Sequence, residues 1–426
     1  MEKRNRIIFL VLAAVAFIAS ALAKRPLFQD IVFVLFAFSF IMLCSPKKAR
    51  LVLIIALSVR LIFVLIDQYV FPLPESREGS DALMFTSMGL EWSRNGLQWL
   101  LSHFTSGAFM YSWVIALLYS IFGPNQFLVQ FLNAILGTFT VYNVFLIGDY
   151  VLDTQKAVIA SIICALFPTA IYFSVLPFRE VEIIFFFILG LFFLIKWIKE
   201  GKIYCIFIAE LFFIISFGFH TGMLWAVIFP PFELIFEIFR GSFRKVNSKK
   251  ILAFLVLVLM VFVTFKTGFG FEKMPHENAL SDSLTATAGL QQRAARDRAA
   301  YLKGVVPRNF FDFLWQVPLR AIYFLFSPFV WMVKIPLDLL GFFDAVSYVI
   351  LIIFVGLNFR KIVRNKFLLA LLLILIGEVL IFSMGTSNYG TALRHRSKFL
   401  PLFSILASDE IARFIKNLKL AVRLRK

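Results

Sequence analysis

Residues 179–202 read REVEIIFFFILGLFFLIKWIKEGK, and this stretch decides the fold class. An apolar run begins directly after Arg179, Glu180 and Glu182, and it ends in a cluster of lysines. About 20 predominantly apolar residues are enough to cross a bilayer as a helix. The stretch therefore predicts a transmembrane helix that has acids at one membrane surface and lysines at the other.

The composition of the whole chain extends this prediction. Of the 426 residues 61% are hydrophobic, and the mean hydropathy is +0.87. A water-soluble domain is nearer half apolar, so only lipid can solvate this much apolar surface. The formal net charge of +18 comes from short basic clusters between apolar runs. That pattern is typical of membrane topology signals, and it argues against a nucleic-acid partner.

Apolar runs of sufficient length recur along the chain. They predict an all-α polytopic membrane protein of about 12 transmembrane helices, folded as a single transmembrane domain over residues 1–426. Two long segments connect spans on one side. Segment 70–125 holds an interfacial helix near 107–122, and segment 268–342 ends in a partly membrane-embedded, proline-interrupted stretch. The predicted spans are 7–23, 29–45, 51–69, 126–147, 156–174, 183–199, 203–219, 223–239, 251–267, 343–359, 367–384 and 398–414.

Clusters of lysine and arginine predict the orientation. With these spans, every cluster falls on the side of the N-terminus, and cytoplasmic loops are the ones enriched in Lys and Arg. Both termini are therefore predicted to be cytoplasmic, and both long segments to face outward. The clusters lie at 3–6, 47–50, 196–202, 240–250, 360–366 and 416–426.

Acidic residues at the predicted outer ends are candidates for chemistry. Asp81 lies in the first long segment, where a solvated loop acid is the alternative interpretation. Glu180 and Glu182 follow Arg179 between two apolar runs. An acid at membrane depth costs about 2.5–3.5 kcal/mol on insertion scales, so it usually faces a cavity or a partner. A local turn in which Arg179 pairs with one glutamate is the alternative.

Cations cluster on the side where they are normally depleted. The run TALRHRSK contains Arg394, His395, Arg396 and Lys398. Such a group suits a phosphate or pyrophosphate, because arginine donates two parallel hydrogen bonds to these oxygens. Snorkelling toward lipid headgroups is the alternative.

Three further arginines are supporting candidates. Arg293 and Arg296 share a helical face in the second long segment, where a solvated surface helix is the alternative. Arg60 lies inside the third predicted span, and a buried arginine usually pairs with an acid. Its expected partner is Glu180, Glu182 or Glu378.

The order of these features resembles the GT-C superfamily of membrane glycosyltransferases, which includes the protein O-mannosyltransferases and the lipid A aminoarabinose transferase. The resemblance covers roughly 70–200 and has only Ala82 after Asp81, where many relatives have a second acid. A resemblance to bacterial polysaccharide polymerases involves PLRAIYFLFSPFVW and TALRHRSKFLP. The GT-C motifs are GSDALMF at 79–85, YSIFGPN at 119–125, NAILG at 133–137, ALFP at 165–168 and LPFRE at 176–180.

The resemblance implies an enzyme that moves a sugar from a polyprenyl-phosphate or polyprenyl-pyrophosphate donor to a glycan, lipid or protein acceptor. Asp81 would be the general base of an inverting transfer, and Glu180 would orient the acceptor or help to bind a divalent cation. Arg394, His395 and Lys398 would bind the donor phosphate together with Arg396. No cofactor is indicated by a motif, and Mg²⁺ or Mn²⁺ stays open. The expected location is the bacterial inner membrane, with the active site on the outer face.

Two other functions stay open at this stage. A polymerase of lipid-linked polysaccharide repeat units would use the same outer groups but a lipid-linked acceptor. A secondary transporter or flippase would place acids at mid-membrane and show related halves. Here the polar clusters lie at the ends of spans and the halves differ, which favours an enzyme.

Overall fold

The computed structural model describes residues 25–76, 80–240, 248–270, 298–307 and 309–424, together with positions 11, 12, 15, 18, 19, 289, 291, 292 and 295. Its regular structure is helical, apart from one isolated β-bridge between Ala300 and Asn388, which confirms the predicted all-α class. The predicted span 7–23 falls almost wholly outside the described residues.

We number the described α-helices in chain order. They are α1 Pro26–Cys44, α2 Lys47–Tyr69, α3 Asp81–Ser93, α4 Leu97–Ser102, α5 Met110–Phe122, α6 Gln126–Val151, α7 Thr154–Leu166, α8 Pro168–Phe173, α9 Glu180–Glu200, α10 Ile203–Phe219, α11 Leu224–Arg240, α12 Ser248–Lys266, α13 Phe310–Phe326, α14 Pro336–Leu357, α15 Phe359–Arg364, α16 Lys366–Gly385, α17 Tyr389–Arg396 and α18 Leu400–Leu424.

Eight stretches of the described chain are long and apolar enough to cross a membrane, and they correspond to α1, α2, α6, α9, α11, α12, α14 and α16. Shorter apolar helices lie at Gly107–Phe122, Thr154–Leu166, Ile203–Phe219 and Leu314–Phe326. The total of 12 therefore stays a prediction. Predicted span 156–174 is interrupted at Phe167, whose extended backbone precedes Pro168. A residue before proline disfavours the helical conformation, so α7 ends there and α8 begins anew.

Burial separates central from peripheral helices. In α6, 67% of the apolar window is buried, and in α9 61%, whereas α12 has only 17%. Helices α6 and α9 therefore form the centre of the bundle, and α12 leaves its apolar side chains for lipid. Small residues bring α6 and α7 together. A Cβ atom at Gly148 would lie 2.9 Å from Cα of Ala157, so only glycine permits this approach.

Basic residues join helices at the end of the bundle opposite Glu180. The buried Asp409 of α18 forms ion pairs with Nζ of Lys156 and with Nζ of Lys361, both at 2.9 Å. Nζ of Lys366 donates to the carbonyl of Ile198 at 3.0 Å, which joins two of the predicted basic clusters. These contacts place clusters from distant parts of the sequence at one end, as the topology prediction requires. That this end is cytoplasmic stays a prediction.

Candidate active site

Asp81 begins helix α3. The hydroxyl of Ser80 caps α3 by accepting the N–H of Leu83 at 3.2 Å, and Asp81 falls in the first turn, where the helix dipole favours a carboxylate. Upstream, Asp67 accepts the backbone N–H of Leu73 at 2.7 Å and the amide of Gln130 at 2.6 Å. These bonds tie Leu73 to the end of α2 and the end of α2 to α6.

Glu180 begins helix α9 after a loop that α6 holds in place. The amide of Asn133 donates to the carbonyls of Leu176 at 2.6 Å and Phe178 at 3.0 Å. A guanidinium nitrogen of Arg179 donates to the carbonyl of Phe219 at 2.7 Å, which ties the same loop to the end of α10. Buried carbonyls need partners, so these bonds fix the loop and with it Glu180.

The third contributor is the short helix α17, which carries the basic run. Asn388 caps α17 by accepting the N–H of Gly390 at 2.8 Å. The second long segment holds the same turn, because Tyr389 N–H donates to the carbonyl of Ala299 at 2.9 Å and Tyr301 N–H to that of Ser387 at 2.9 Å. Arg394, His395 and Arg396 fall in the last turn, the end of a helix that favours cations.

These three elements meet at one point. A guanidinium nitrogen of Arg394 lies 2.7 Å from Oδ2 of Asp81, and its Nε lies 3.1 Å from Oε1 of Glu180. Nζ of Lys398 lies 3.5 Å from the same Glu180 oxygen. We call Asp81, Glu180, Arg394, His395 and Lys398 the acid–base cluster. The residues come from three stretches of sequence, as the prediction required.

The charges of the acid–base cluster shift the pKa values of its members. Burial lowers the pKa of Arg394, but the carboxylates of Glu180 and Asp81 outweigh this effect and raise it above its ordinary value. Burial, followed by the charge of Lys398, holds the pKa of His395 well below its ordinary value. Nζ of Lys398 donates a hydrogen bond to Nδ1 of His395 at 2.9 Å.

The acid–base cluster has one accessible side. The side chain of Asp81 is 49% exposed and that of Arg394 20%, whereas Glu180 and Lys398 are fully buried. Oε2 of Glu180 has no hydrogen-bond partner, and the contact of Arg394 Nε with Glu180 lacks hydrogen-bond geometry. Arg394 is thus the partly exposed cation of the acid–base cluster, and Asp81 is its exposed carboxylate.

Arg396 does not join the acid–base cluster. It is fully buried on the other side of α17, where Nε donates to Oδ2 of Asp344 at 2.6 Å. Its other nitrogens donate to carbonyls, including those of Leu325 at 3.0 Å and Ser327 at 2.5 Å. With its donors used in this way, Arg396 fastens α17 to α13 and α14. We leave it out of the donor-phosphate group in which the sequence placed it.

We expect Arg396→Met to act on stability. The change leaves the buried Asp344 with only the hydroxyl of Thr169 as its partner. Breaking a buried ion pair costs about 3–5 kcal/mol, so the thermal unfolding midpoint in detergent should fall clearly. Arg413→Met is the matched control, because Arg413 is 41% exposed in its pair with Asp409 and should matter little. Equal midpoints for the two variants would contradict the structural role of Arg396.

The supporting candidates lie elsewhere. Arg60 is buried in α2, where it donates to the carbonyls of Ala56 at 3.0 Å and Ala165 at 3.3 Å. The prediction that Arg60 pairs with a carboxylate is wrong, because none of the described acids forms an ion pair with Arg60. Glu182 is buried in the first turn of α9, two residues after Glu180, and both of its carboxylate oxygens lack a hydrogen-bond partner. Arg293 and Arg296 lie outside the described residues.

Other residues at the site were not predicted as contributors. Asn133 positions the loop before Glu180, and the NAILG motif that contains it was the signal available in the sequence. The ring of His220 lies 4.9 Å from that of His395, edge to face. The sequence showed His220 only as an isolated histidine at a turn, with nothing to indicate this neighbour.

The described residues around Glu180 include no ready-made set of ligands for a divalent cation. No group of three or more His, Cys, Asp or Glu side chains in the described part of the chain is arranged to hold a metal ion. Glu180 and Asp81 also face cations, since Arg394 contacts both. Metal binding at Glu180 stays a prediction, and we derive no step through a metal.

The central helices connect this geometry to known proteins. Residues 106–266 match the family model of the dolichyl-phosphate-mannose-protein mannosyltransferases. This mannosyltransferase-like segment runs from α5 to the end of α12 and contains Asn133, Arg179 and Glu180. It confirms the predicted resemblance to the GT-C superfamily, and it supports a membrane glycosyltransferase as the functional class. No curated protein matches the chain.

The mannosyltransferase-like segment covers less than half of the chain. Asp81 precedes it, and Arg394 and Lys398 follow it. The contacts of Arg394 with Asp81 and Glu180 join the matched segment to both flanking regions. The site is thus one geometric unit even though the match covers only its central part.

Proposed function

We propose that the protein transfers a sugar from a polyprenyl-phosphate-linked donor to a hydroxyl acceptor, with the acid–base cluster as its reaction centre. The observation that carries the proposal is the contact of Arg394 with both Asp81 and Glu180 at the accessible end of the bundle. A cation for the leaving phosphate and a carboxylate for the acceptor proton then lie side by side. The mannosyltransferase-like segment supports the choice of a lipid-linked sugar as donor.

The charge distribution favours a phosphate as the group that Arg394 binds. In the structure Arg394 contacts two carboxylates, of which Asp81 is the exposed one. A donor phosphate can replace Asp81 as the partner of Arg394, because guanidinium binds phosphate with two parallel hydrogen bonds. Glu180, which the buried Lys398 also contacts, keeps Arg394 in place during this exchange. Asp81 is thereby released to face the acceptor.

The chemistry is a single displacement at the anomeric carbon. The bond from that carbon to the phosphate oxygen breaks, and a bond to the acceptor oxygen forms. Asp81 accepts the proton of the acceptor hydroxyl, and polyprenyl phosphate leaves with the bonding electron pair. Arg394 stabilises the negative charge that develops on the leaving phosphate, with the help of Lys398. One displacement predicts inversion at the anomeric carbon.

The membrane body suits such a donor. The polyprenyl tail would lie in lipid beside the bundle, and the phosphate would reach the acid–base cluster from the membrane surface. We propose that this surface is the non-cytoplasmic one, since the basic clusters lie at the opposite end of the bundle. The predicted bacterial inner membrane agrees with this arrangement, and glycan, lipid and protein acceptors all offer the required hydroxyl.

A transfer assay with purified protein tests the proposal. The protein is incubated with polyprenyl-phosphate mannose carrying a radioactive sugar and with hydroxyl acceptors of the glycan, lipid and peptide classes. We expect release of polyprenyl phosphate together with one labelled sugar per acceptor. Ladders of product from lipid-linked repeat units would indicate a polymerase instead. Counterflow of intact donor in proteoliposomes without chemical change would indicate a transporter and overturn the proposal.

A further inference from the structure

Arg298, in the second long segment, forms an ion pair that the proposed reaction does not use. A guanidinium nitrogen of Arg298 lies 2.5 Å from Oδ2 of Asp338, and it donates to the hydroxyl of Tyr389 at 2.7 Å. That hydroxyl donates in turn to Oδ1 of Asp338 at 3.0 Å. Asp338 lies in the first turn of α14, and Tyr389 is the first residue of α17. We call these three side chains the Arg298 junction, since they join the second long segment to both helices.

Three contacts hold α17 along α14. At the last residue of α17, Arg396 is bonded to α14 as described above. In the middle of α17, Leu393 packs against α14, because a Cβ atom at Gly341 would lie 3.1 Å from Cδ1 of Leu393. The Arg298 junction is the third contact, at Tyr389. Unlike the other two, it includes a side chain from the second long segment.

The place of α17 decides where Arg394 lies. A helix of eight residues is not stable by itself, so its neighbours fix its orientation. Arg394 follows Tyr389 by five residues, which is about 7.5 Å along the helix axis. From there its guanidinium contacts both Asp81 and Glu180. A shift at the start of α17 therefore moves the partly exposed cation of the acid–base cluster.

The exposure of the Arg298 junction indicates that it matters more for position than for stability. The side chain of Arg298 is 41% exposed, whereas that of Asp338 is 3% exposed. Asp338 also accepts the backbone N–H groups of Lys334 at 2.9 Å and Ile335 at 3.1 Å. Without Arg298, the buried carboxylate therefore keeps these two donors and the hydroxyl of Tyr389. A partly exposed ion pair adds little to stability, so its loss should loosen the start of α17 without unfolding the protein.

We propose that Arg298 is a positioning residue for Arg394. By joining Asp338 to Tyr389, Arg298 fixes the start of α17 so that Arg394 meets both carboxylates of the acid–base cluster. Misplacing a group in a reaction centre by about 1 Å can lower the rate by about 10²-fold. This kinetic consequence rests on the proposed transfer reaction, whereas the placement of Arg394 by the Arg298 junction does not.

Steady-state kinetics of Arg298→Gln test the positioning role. An effect that acts through Arg394 should lower kcat about 10-fold and raise KM for the donor, while KM for the acceptor stays unchanged. Arg298→Lys should recover part of the rate, because an ammonium group can still pair with Asp338. Lys303→Gln is the matched control, since Lys303 is exposed in the same segment and forms no ion pair in the described part of the structure. Wild-type constants for Arg298→Gln would overturn the proposal.

A double-variant cycle of thermal unfolding midpoints tests the same role without turnover. Distant sites that share no partner give additive losses, whereas sites that act through one element do not. The fall in midpoint caused by Arg394→Gln should therefore be smaller in the Arg298→Gln background than in wild type. In the Lys303→Gln background it should be unchanged.

The two experiments separate the proposed function from the positioning role. Equal falls for Arg394→Gln in wild type and in the Arg298→Gln background would overturn the positioning role, whatever the reaction is. A wild-type protein without transfer activity would instead refute the proposed function, and the cycle of midpoints would still decide whether Arg298 positions Arg394.

Discussion

Asp81→Asn is expected to lower kcat for sugar transfer by a factor of about 10²–10⁴, the usual contribution of a general base. Asparagine has nearly the same shape and can still accept the hydrogen bond from Arg394, so the fold should be unaffected. The side chain is also 49% exposed, which makes a large loss of stability unexpected. The measurement is the initial rate of product formation at saturating donor and acceptor, with the unfolding midpoint recorded for the same sample.

Glu91→Gln is the matched control for Asp81. Glu91 belongs to the same helix α3, is exposed and forms no ion pair in the described part of the structure. The substitution Glu91→Gln removes one negative charge from the same helix and leaves the acid–base cluster unchanged. We expect a wild-type rate for Glu91→Gln. If Asp81→Asn also retains the wild-type kcat while folded, Asp81 is not the base.

Arg394→Gln is expected to lower kcat by a factor of about 10²–10³ and to raise KM for the donor. The guanidinium is the partly exposed cation of the cluster, and a group that stabilises developing charge contributes on this scale. Arg394→Lys should fall between wild type and Arg394→Gln, because lysine keeps the charge but loses the two parallel donors. Kinetics with varied donor concentration separate the effect on KM from that on kcat.

Arg94→Gln provides the comparison for Arg394. Arg94 is exposed at the end of α3, and its loss should leave both constants unchanged. A second comparison is Arg396→Met, for which the loss should appear in the unfolding midpoint and not in the donor KM of the folded fraction. An Arg394→Gln variant whose KM and kcat match those of Arg94→Gln would exclude Arg394 from donor binding.

The meeting of Asp81, Glu180 and Arg394 could be predicted from the sequence. Spans of about 20 apolar residues and one-sided basic clusters place all three at the same end of the bundle. The contact between Arg394 and Asp81 joins residues 313 positions apart, a distance that no local pattern encodes. Membrane topology restricts polar groups to two surfaces, which brings such residues to the same end without indicating which atoms touch.

The separation of Arg396 from the acid–base cluster could not be predicted from the basic run alone. Residues 394 and 398 are four positions apart, which places them on the same side of the helical turns Tyr389–Arg396 and Ser397–Phe399. Residue 396 is rotated about 200° from residue 394, so it faces the opposite side. The sequence alone does not show that the basic run is helical, so it presents these cations as one group. With that conformation known, periodicity alone would have separated Arg396 from Arg394.

Arg60 illustrates a second limit. The general expectation that a buried arginine pairs with an acid favoured three glutamates as partners. Which face of α2 meets α6 and α7 depends on close approaches at small residues such as Gly137, and spacing along the sequence does not reveal them. Glu378 belongs to α16, and its side chain reaches the start of α11. There its Oε1 accepts a hydrogen bond from the N–H of Ala226 at 2.8 Å. A buried acid can thus accept a hydrogen bond from a backbone N–H at the start of a helix instead of pairing with a cation.

The rate of transfer by the double variant Asp81→Asn/Arg394→Gln tests the central claim most directly. Residues that act as one unit give non-additive losses, so the double variant should be about as slow as the slower single variant. Each rate is measured with polyprenyl-phosphate mannose, the same acceptor and equal amounts of folded protein. Losses that multiply as if the two residues were independent, or wild-type rates in all three variants, would contradict a shared reaction centre.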